Sequence, residues 1–331
     1  MAAPAAAPPW LHDADLAAQK YSEAVAVAVE KCARDTAGRT CYICKGYTGT
    51  LVRGCACRGT AGFAHVSCLA EQAKILVAEA EENNLGLDAL NERLRRWDAC
   101  SLCEQDYHGV VACALGWAAW KTYVGRPEAD RVRFIATNLL GNGLSEAGHD
   151  DDALSVQEAG LAMMRRIGRP VENILAVQTN LSNTYQRLGR PEEALRMKRD
   201  VYSGRLRLNG EENQSTLRAA LNYASSLSEL QRFEEAKALL RKTLPVARRV
   251  LGGKDRLTLK MRWTYAQSLY LDAGATLDDL REAVTTLEDV EQTARRVLGG
   301  ANPNTVRIEK SLRNARAALA AREATPPPRS A

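Results

Sequence analysis

From Ala129 onward the apolar positions fall at helical spacing in stretches separated by short polar turns, and the whole arrangement repeats. Asn138, Asn180 and Asn222 stand 42 residues apart, Thr264 holds the next register, and each opens a similar phrase: Asn-Leu-Leu, Asn-Leu-Ser, Asn-Tyr-Ala, Thr-Tyr-Ala. Gly168, Gly210 and Gly252 keep the same interval, as do Ala194 and Ala236. A fixed period of this kind predicts a solenoid of stacked helix pairs. Residues 129–322 accommodate four pairs and a closing helix. The Val-Leu-Gly-Gly phrase at Val250 recurs only after 47 residues, which places an insertion around Ala273 to Leu280. Pro191 is expected in the first turn of a second helix, where its missing N–H costs nothing. Ser182, Ala224 and Ala266, with Ala194 and Ala236, are the small residues that let paired helices approach.

Upstream the pattern is also helical. A helix is expected over residues 13–35, and Leu69 to Trp97 reads as a helix, a break at Asn83-Asn84-Leu85-Gly86, and a second helix. The most apolar stretch, Val110 to Val124, is interrupted by Lys121 and is too short to span a bilayer. It predicts a buried connecting helix within 109–128. The Ala/Pro-rich opening, residues 1–12, and the tail, residues 323–331, are expected to be unstructured, and the opening lacks the pattern of a signal peptide.

Composition adds little to this mostly α picture until the cysteines are placed. The chain has 331 residues, enough for two domains, with 26% charged and only 5% aromatic side chains, which suits Ala/Leu-rich helix packing. Its net charge is +5; the part from Ala129 carries 32 basic against 25 acidic residues. That mild excess fits acidic peptide partners and lacks the concentrated basic stripe of a nucleic-acid binder. The pairs Arg165-Arg166, Arg248-Arg249 and Arg295-Arg296 fall near predicted helix ends and complement the helix dipole. Asp150-Asp151-Asp152 does the same at a helix start, and Gly141-Asn-Gly143, with no strand before it, is not a dinucleotide loop.

Eight metal-ligand residues lie between Cys41 and Cys103: Cys41-x2-Cys44, Cys55-x-Cys57, His65-x2-Cys68 and Cys100-x2-Cys103. Paired thiolates at such spacing reach one tetrahedral Zn²⁺ from a tight turn. Four pairs within 63 residues, in a chain of nine cysteines, predict two zinc ions. Gly54 and Gly59 offer the backbone freedom that tight turns around metal need, and Phe63 and Val66 offer a small apolar cluster. A module this small has little core, so metal binding should supply most of its folding free energy. Thiolate sites need a reducing compartment, cytosol or nucleus. Cys32 and Cys113 fall in predicted helices, and His12, His108 and His149 have no ligand partners at useful spacing.

The run from Arg53 to Cys68, Arg-Gly-Cys-Ala-Cys-Arg-Gly-Thr-Ala-Gly-Phe-Ala-His-Val-Ser-Cys, resembles RING-CH (RINGv) zinc fingers. That resemblance implies a cross-braced module over 36–108: Cys41, Cys44, His65 and Cys68 at site one, and Cys55, Cys57, Cys100 and Cys103 at site two. The helical stretch 69–97 is then an insertion. Such closed sites are structural and need no catalytic residue. The resemblance further implies an E3 ubiquitin ligase, docking a ubiquitin-charged conjugating enzyme on an aliphatic residue inside the first pair, here Ile43, and on a tryptophan after the sixth ligand. Gln72 stands at the usual tryptophan position, and Trp97 is the nearest substitute. The alternative for both is a place in the mini-core. Glu104, where many active RINGs have a basic residue, favours a non-enzymatic adaptor. PHD-like reading of methyl-lysine would need an aromatic cage, for which Tyr42 and Tyr47 are the only nearby aromatics before Phe63.

The repeats in turn resemble the tetratricopeptide repeats of kinesin light chains. Thr179-Asn-Leu-Ser-Asn-Thr-Tyr-Gln-Arg-Leu-Gly-Arg-Pro-Glu-Glu-Ala-Leu195 and Arg249-Val-Leu-Gly-Gly253 carry the likeness. The family implies an α-α superhelix whose first helices line a concave wall, with Asn138, Asn180 and Asn222 facing a bound peptide. An amide both donates to and accepts from a peptide backbone. Bonds between neighbouring helices are the other use open to these residues. The combined expectation is a zinc module that meets a conjugating enzyme and an array that recruits a protein or peptide substrate, without nucleic acid or a membrane span.

Overall fold

The computed structural model describes residues 13–46 and 50–324. The segment 1–12, Tyr47 and the tail from 325 lie outside the described residues. The chain divides into two compact units, residues 1–189 and 190–331.

The first unit opens with α1 (Ala14–Thr36), whose N-cap Asp13 accepts hydrogen bonds from the N–H groups of Asp15 and Leu16. Two short antiparallel strands, β1 (Leu51–Val52) and β2 (Ala64–His65), pair Leu51 with His65 and Val52 with Ala64. Then come α2 (Val66–Glu82) and α3 (Leu87–Leu94), the latter prolonged by a 3₁₀ turn at Arg95–Trp97. The helix break falls at Asn83 to Gly86, where Asn84 takes a left-handed conformation, φ 49°. Next are α4 (Gly109–Tyr123), α5 (Arg131–Glu146), α6 (Asp150–Arg166) and α7 (Val171–Arg187). Asp130 caps α5, and the three aspartates at 150–152 form the first turn of α6.

Apart from Lys121 and Thr122 near its end, α4 is apolar all round and is buried accordingly. Val111, Ala114 and Leu115 face one apolar core, with Leu51, Val52, Phe63, Val66 and Tyr107. Cys113, Trp117, Trp120 and Tyr123, one helical face over, belong to a second core with Trp97, Leu140, Leu144 and Val156. Burial pushes the Cys113 thiol up to about 12, as suits an inert packing residue. Glycines set the approach of α4 to α5: a Cβ on Gly143 would sit 2.6 Å from the Ala112 carbonyl oxygen, and one on Gly116 2.8 Å from that of Leu139. Gly54 works the same way, since its Cβ would fall 2.5 Å from that of Val111. The freedom expected of Gly54 is therefore spent on close approach, whereas Gly59 does adopt a left-handed φ of 61°. Among the described residues no helix is long and apolar enough to cross a membrane.

The second unit comprises α8 (Pro191–Asn209), α9 (Gln214–Glu229), α10 (Phe233–Leu251), α11 (Arg256–Tyr270), α12 (Leu277–Leu298) and α13 (Pro303–Glu323). Pro191 occupies the first turn of α8, and Gly210, Gly252 and Gly299 terminate α8, α10 and α12 with positive φ. Ala194, Ala224, Ala236 and Ala266 here, and Ser182 in the first unit, are fully buried at 0% exposure, as close helix packing demands. The irregular fourth turn, Leu271 to Thr276, is held from two sides. Lys237, only 2% exposed, donates to Asp272 at 3.0 Å and pairs with Glu234 at 2.6 Å. Thr276 and Asp279 form a reciprocal capping box at the start of α12.

The contact of α4 with α5 gives a direct test. Gly143→Ala forces a Cβ into backbone and should cost roughly 1–3 kcal/mol in denaturant unfolding followed by circular dichroism. Gly125→Ala, whose Cβ meets nothing within 4 Å, should be near neutral. Equal stability of the two variants would show that α4 and α5 do not pack at glycine distance.

Candidate metal centre

The backbone forms two equivalent knuckles. In the first, the Lys45 N–H donates to the Cys41 carbonyl at 2.9 Å and the Cys41 N–H to the Gly46 carbonyl at 3.1 Å. In the second, Glu104 donates to Cys100 at 2.9 Å and Cys100 to Gln105 at 3.0 Å. Lys45 and Glu104, each following the second cysteine of its pair, have φ of 63° and 55°. That left-handed turn swings both sulfurs of each Cys-x2-Cys pair to one side. Knuckle one is tied to the strands by the Tyr42 N–H on the Phe63 carbonyl at 2.9 Å. It is tied to knuckle two by the Tyr42 hydroxyl and the Ser101 hydroxyl, 3.0 Å apart.

The eight side chains gather into two groups of four: Cys41, Cys44, His65 and Cys68, and Cys55, Cys57, Cys100 and Cys103, each with its ligand atoms within 4.8 Å of one another. Pairs one and three meet, as do pairs two and four. Sequence neighbours are thus separated, and 31 intervening residues do not prevent Cys100 and Cys103 from returning to Cys55 and Cys57. β2 and the start of α2 carry His65 and Cys68 together, and the His65 Nδ1 faces the Cys44 and Cys68 sulfurs at 3.4 Å each.

These donor sets fit zinc. A tetrahedral Zn²⁺ with sulfur bonds of about 2.3 Å separates its sulfurs by about 3.8 Å, and Cys57 and Cys100 stand 3.8 Å apart. The local electrostatics prepare for a cation. Against the desolvation of its burial, N–H groups of Cys44, His65 and Ile43 hold the Cys41 thiol down at about 7. The Gln105 N–H does the same for Cys103, also about 7. Burial pushes Cys55 up to about 11 and Cys68 to about 12, with neighbouring thiols contributing, and burial likewise raises Cys57. One thiolate per group is favoured while Cys68 in the first and Cys55 and Cys57 in the second resist ionising; a shared cation reverses that repulsion. Four protein ligands per group leave no open position, so such an ion would be structural.

Gly62 went unrecognised in the sequence. Its φ is 83°, and a Cβ there would fall 2.6 Å from Cys57 Cβ and 3.2 Å from Cys55 Sγ, so only glycine closes this side of the second group. Phe63 is buried beneath the Arg53 guanidinium, 4.4 Å from its ring centroid. Cys32 and Cys113 join neither group.

The docking expectations separate. Ile43 is half-buried on knuckle one and packs partly against the apolar core. Trp97 is 2% exposed and stacks edge-on against Tyr123 at 5.7 Å, so it has no surface to offer a partner. The insertion folds it inward onto α4 and does not carry it to the knuckle face, which corrects the expectation for this residue. Leu102, between Cys100 and Cys103, is instead 51% exposed and sits next to Ser101 on the knuckle bonded to that of Ile43. Its place inside a ligand pair, like that of Ile43, was the available signal.

The three asparagines also differ. All are half-buried. Asn180 Nδ2 donates to Asn142 Oδ1 at 2.9 Å, a bond between neighbouring helices. Asn222 borders a cavity of about 330 Å³ beside Arg218, Lys260 and Trp263. Tyr223, which follows Asn222, is half-buried and stacks on Tyr202.

Among known families, a RING-variant domain matches residues 39–85, and a tetratricopeptide repeat matches residues 174–215 and 216–256. The RING-variant match stops before Cys100, so the last ligand pair is joined to the module by geometry alone. No curated protein matches the chain. Among solved structures, a Podosopora anserina putative kinesin light chain with nearly identical TPR-like repeats is 19% identical, covering 70% of this chain and 97% of that one, with a TM-score of 0.47. BtubC (BKLC) from P. vanneervenii is 14% identical over 80% of this chain and 94% of that one, with a TM-score of 0.43. The chain therefore carries a RING-variant domain, with two Cys/His groups able to hold metal, ahead of tetratricopeptide repeats.

Proposed function

We propose that the protein is an E3 ubiquitin ligase that binds two structural Zn²⁺, docks a ubiquitin-charged conjugating enzyme through its RING-variant module, and recruits a protein substrate through its repeats. The single observation that carries the zinc reading is the convergence of non-adjacent ligand pairs into two closed, sulfur-rich groups. The ligase reading adds to it a half-exposed aliphatic surface, Ile43 and Leu102, on two knuckles held together by Tyr42 and Ser101. Zinc supplies rigidity, fixing the knuckles so that this surface is presented in one arrangement. No side chain of this chain needs to exchange a proton with substrate. The substrate lysine would attack the ubiquitin thioester on the partner, and this chain would contribute proximity and orientation. Asn138, Asn180 and Asn222 are the amides proposed to meet substrate backbone.

A second reading, a zinc-dependent adaptor without transfer activity, draws support from the burial of Trp97 and from Glu104, whose carboxylate lies 3.8 Å from Arg96. Both readings place the protein in a reducing compartment.

Metal analysis of purified protein should give about two zinc ions per chain, and Cys44→Ser and Cys55→Ser should each lose about one. Two ions retained in Cys55→Ser would remove that residue from the ligand set. In autoubiquitination assays with a panel of conjugating enzymes, the double variant Ile43→Ala with Leu102→Ala should keep its zinc and helicity but lose activity by at least about tenfold. Activity of the double variant equal to the parent would exclude this docking surface; silence of the parent across the panel, with both zincs bound, would establish the adaptor.

A further inference from the structure

A cavity of about 360 Å³ opens within the first unit where the segment around the last ligand pair meets the repeat helices. Asp98 and Asp106 come to it from that segment, Asn142 and Glu146 from α5, and Asn180 and Asn183 from α7. Asn142 and Glu146 are four residues apart on one helical face, and Asn180 and Asn183 three apart on another, so each pair projects together. The volume falls within the usual range of ligand clefts. Neither the sequence periodicity nor the ligand spacing joins these six residues; only the packing of α4 against α5 does.

Carboxylates and amides predominate among the polar groups around it. Three are carboxylates. Glu146 enters no ion pair among the described residues, Asp98 has Arg95 and Arg96 near enough to act on it but none within 4.0 Å, and Asp106 has only the exposed Arg95 at 4.0 Å. The cation at the rim, Arg187, is already committed to Asp150 at 2.9 Å. Tyr107, His108 and Ser145 also line it, and the remaining polar side chains are amides. The bond from Asn180 to Asn142 leaves the Asn142 NH₂ and a lone pair on each amide oxygen, and Asn183 has no hydrogen-bond partner among the described residues. Amides arrayed on successive repeat helices match the alternating donors and acceptors of an extended peptide. Three carboxylates at one end, answered only by the distant Arg95 and Arg96, match an ammonium or guanidinium.

We propose that this cavity binds a basic peptide segment, its backbone against Asn142, Asn180 and Asn183 and one lysine or arginine side chain among Asp98, Asp106 and Glu146. The site forms only when the second metal group is filled. This last point rests on the zinc reading above. Asp98 and Asp106 flank knuckle two, and their placement depends on it: the Tyr107 N–H donates to the Asp98 carbonyl at 2.7 Å, and Ala99 bridges to Asp106. Without metal at Cys100 and Cys103 the acidic wall is lost while α5 and α7 persist. Substrate capture would thus be confined to zinc-loaded protein. Since the chain as a whole is +5, unspecific attraction would favour acidic peptides, so preference for a basic one reports this site.

The test uses full-length, zinc-loaded protein and fluorescence anisotropy with two labelled octapeptides, one alternating alanine and lysine, the other alanine and glutamate. The lysine peptide should bind and the glutamate peptide should not. Asp106→Asn combined with Glu146→Gln, at exposed positions, should weaken binding roughly three- to tenfold, and Asn180→Ala should weaken it as well. Arg218→Ala, in the second unit, should leave it unchanged. Removal of zinc by chelator should abolish binding, and readdition should restore it. Equal binding of both peptides, no binding of the lysine peptide, or undiminished binding by the carboxylate variant would overturn the proposal. Zinc content measured on the same samples separates the two layers: two ions with undiminished binding by the variant removes the cavity site alone, whereas one ion removes the second metal group on which it rests.

Discussion

α4 is buried on both of its faces, and the first unit is organised by that double burial. A Cys/His module of this size cannot enclose enough apolar surface for itself. Val111, Ala114 and Leu115 supply what it lacks, packing under the strands and against Tyr107. The opposite face of the same helix carries Trp117, Trp120 and Tyr123 into the core that begins the helical array. At roughly 25 cal/mol per Å² of apolar surface, each such aromatic contributes on the order of 2–3 kcal/mol, so neither half can shed α4 cheaply. The glycines at 116 and 143 let its backbone lie against α5, which is why the metal groups and the first repeat helices belong to one compact unit.

Within the module, the same economy of size explains the strained backbone. Lys45 and Glu104 carry ordinary side chains in a left-handed conformation that costs roughly 1 kcal/mol or more for each. Apparent zinc-binding free energies of about 10–16 kcal/mol in small finger peptides exceed that strain by a wide margin. The matching hydrogen bonds at Cys41 and Cys100 show one local solution used twice, at sites whose remaining ligands differ. Two such knuckles, joined through Tyr42 and Ser101, give a surface stiff enough to be recognised without any reactive group of its own.

The second unit obtains its order from different means. Fully buried alanines allow helices to approach, and the glycine caps end α8, α10 and α12 in the same way each time. Where the period fails, at Leu271 to Thr276, a buried lysine and a capping box take over the work of the missing regularity. An ammonium that is 2% exposed and shared between Glu234 and Asp272 is costly to desolvate, so losing one carboxylate would be felt strongly.

Local chemistry was legible in the chain itself. Each of the four ligand pairs, the helix break at Asn83 to Gly86, the buried stretch after Val110 and each phrase that recurs at 42 residues depends on residues near one another in sequence. Metal coordination, helical periodicity and turn stereochemistry act over such distances. The small residues at Ser182, Ala194, Ala224, Ala236 and Ala266 could be assigned to packing for the same reason. Tertiary structure decided what depends on how helices turn against one another. It sent Trp97 inward and left Leu102 outside, gave Asn180 to Asn142, set Gly62 against Cys57, and brought Asp98 and Asp106 opposite the asparagines of α5 and α7. A tryptophan inside an insertion has no periodic context to fix its direction. Only the packing of α2, α3 and α4 around it, with Tyr123 against its edge, settles that burying its ring is worth more than presenting it.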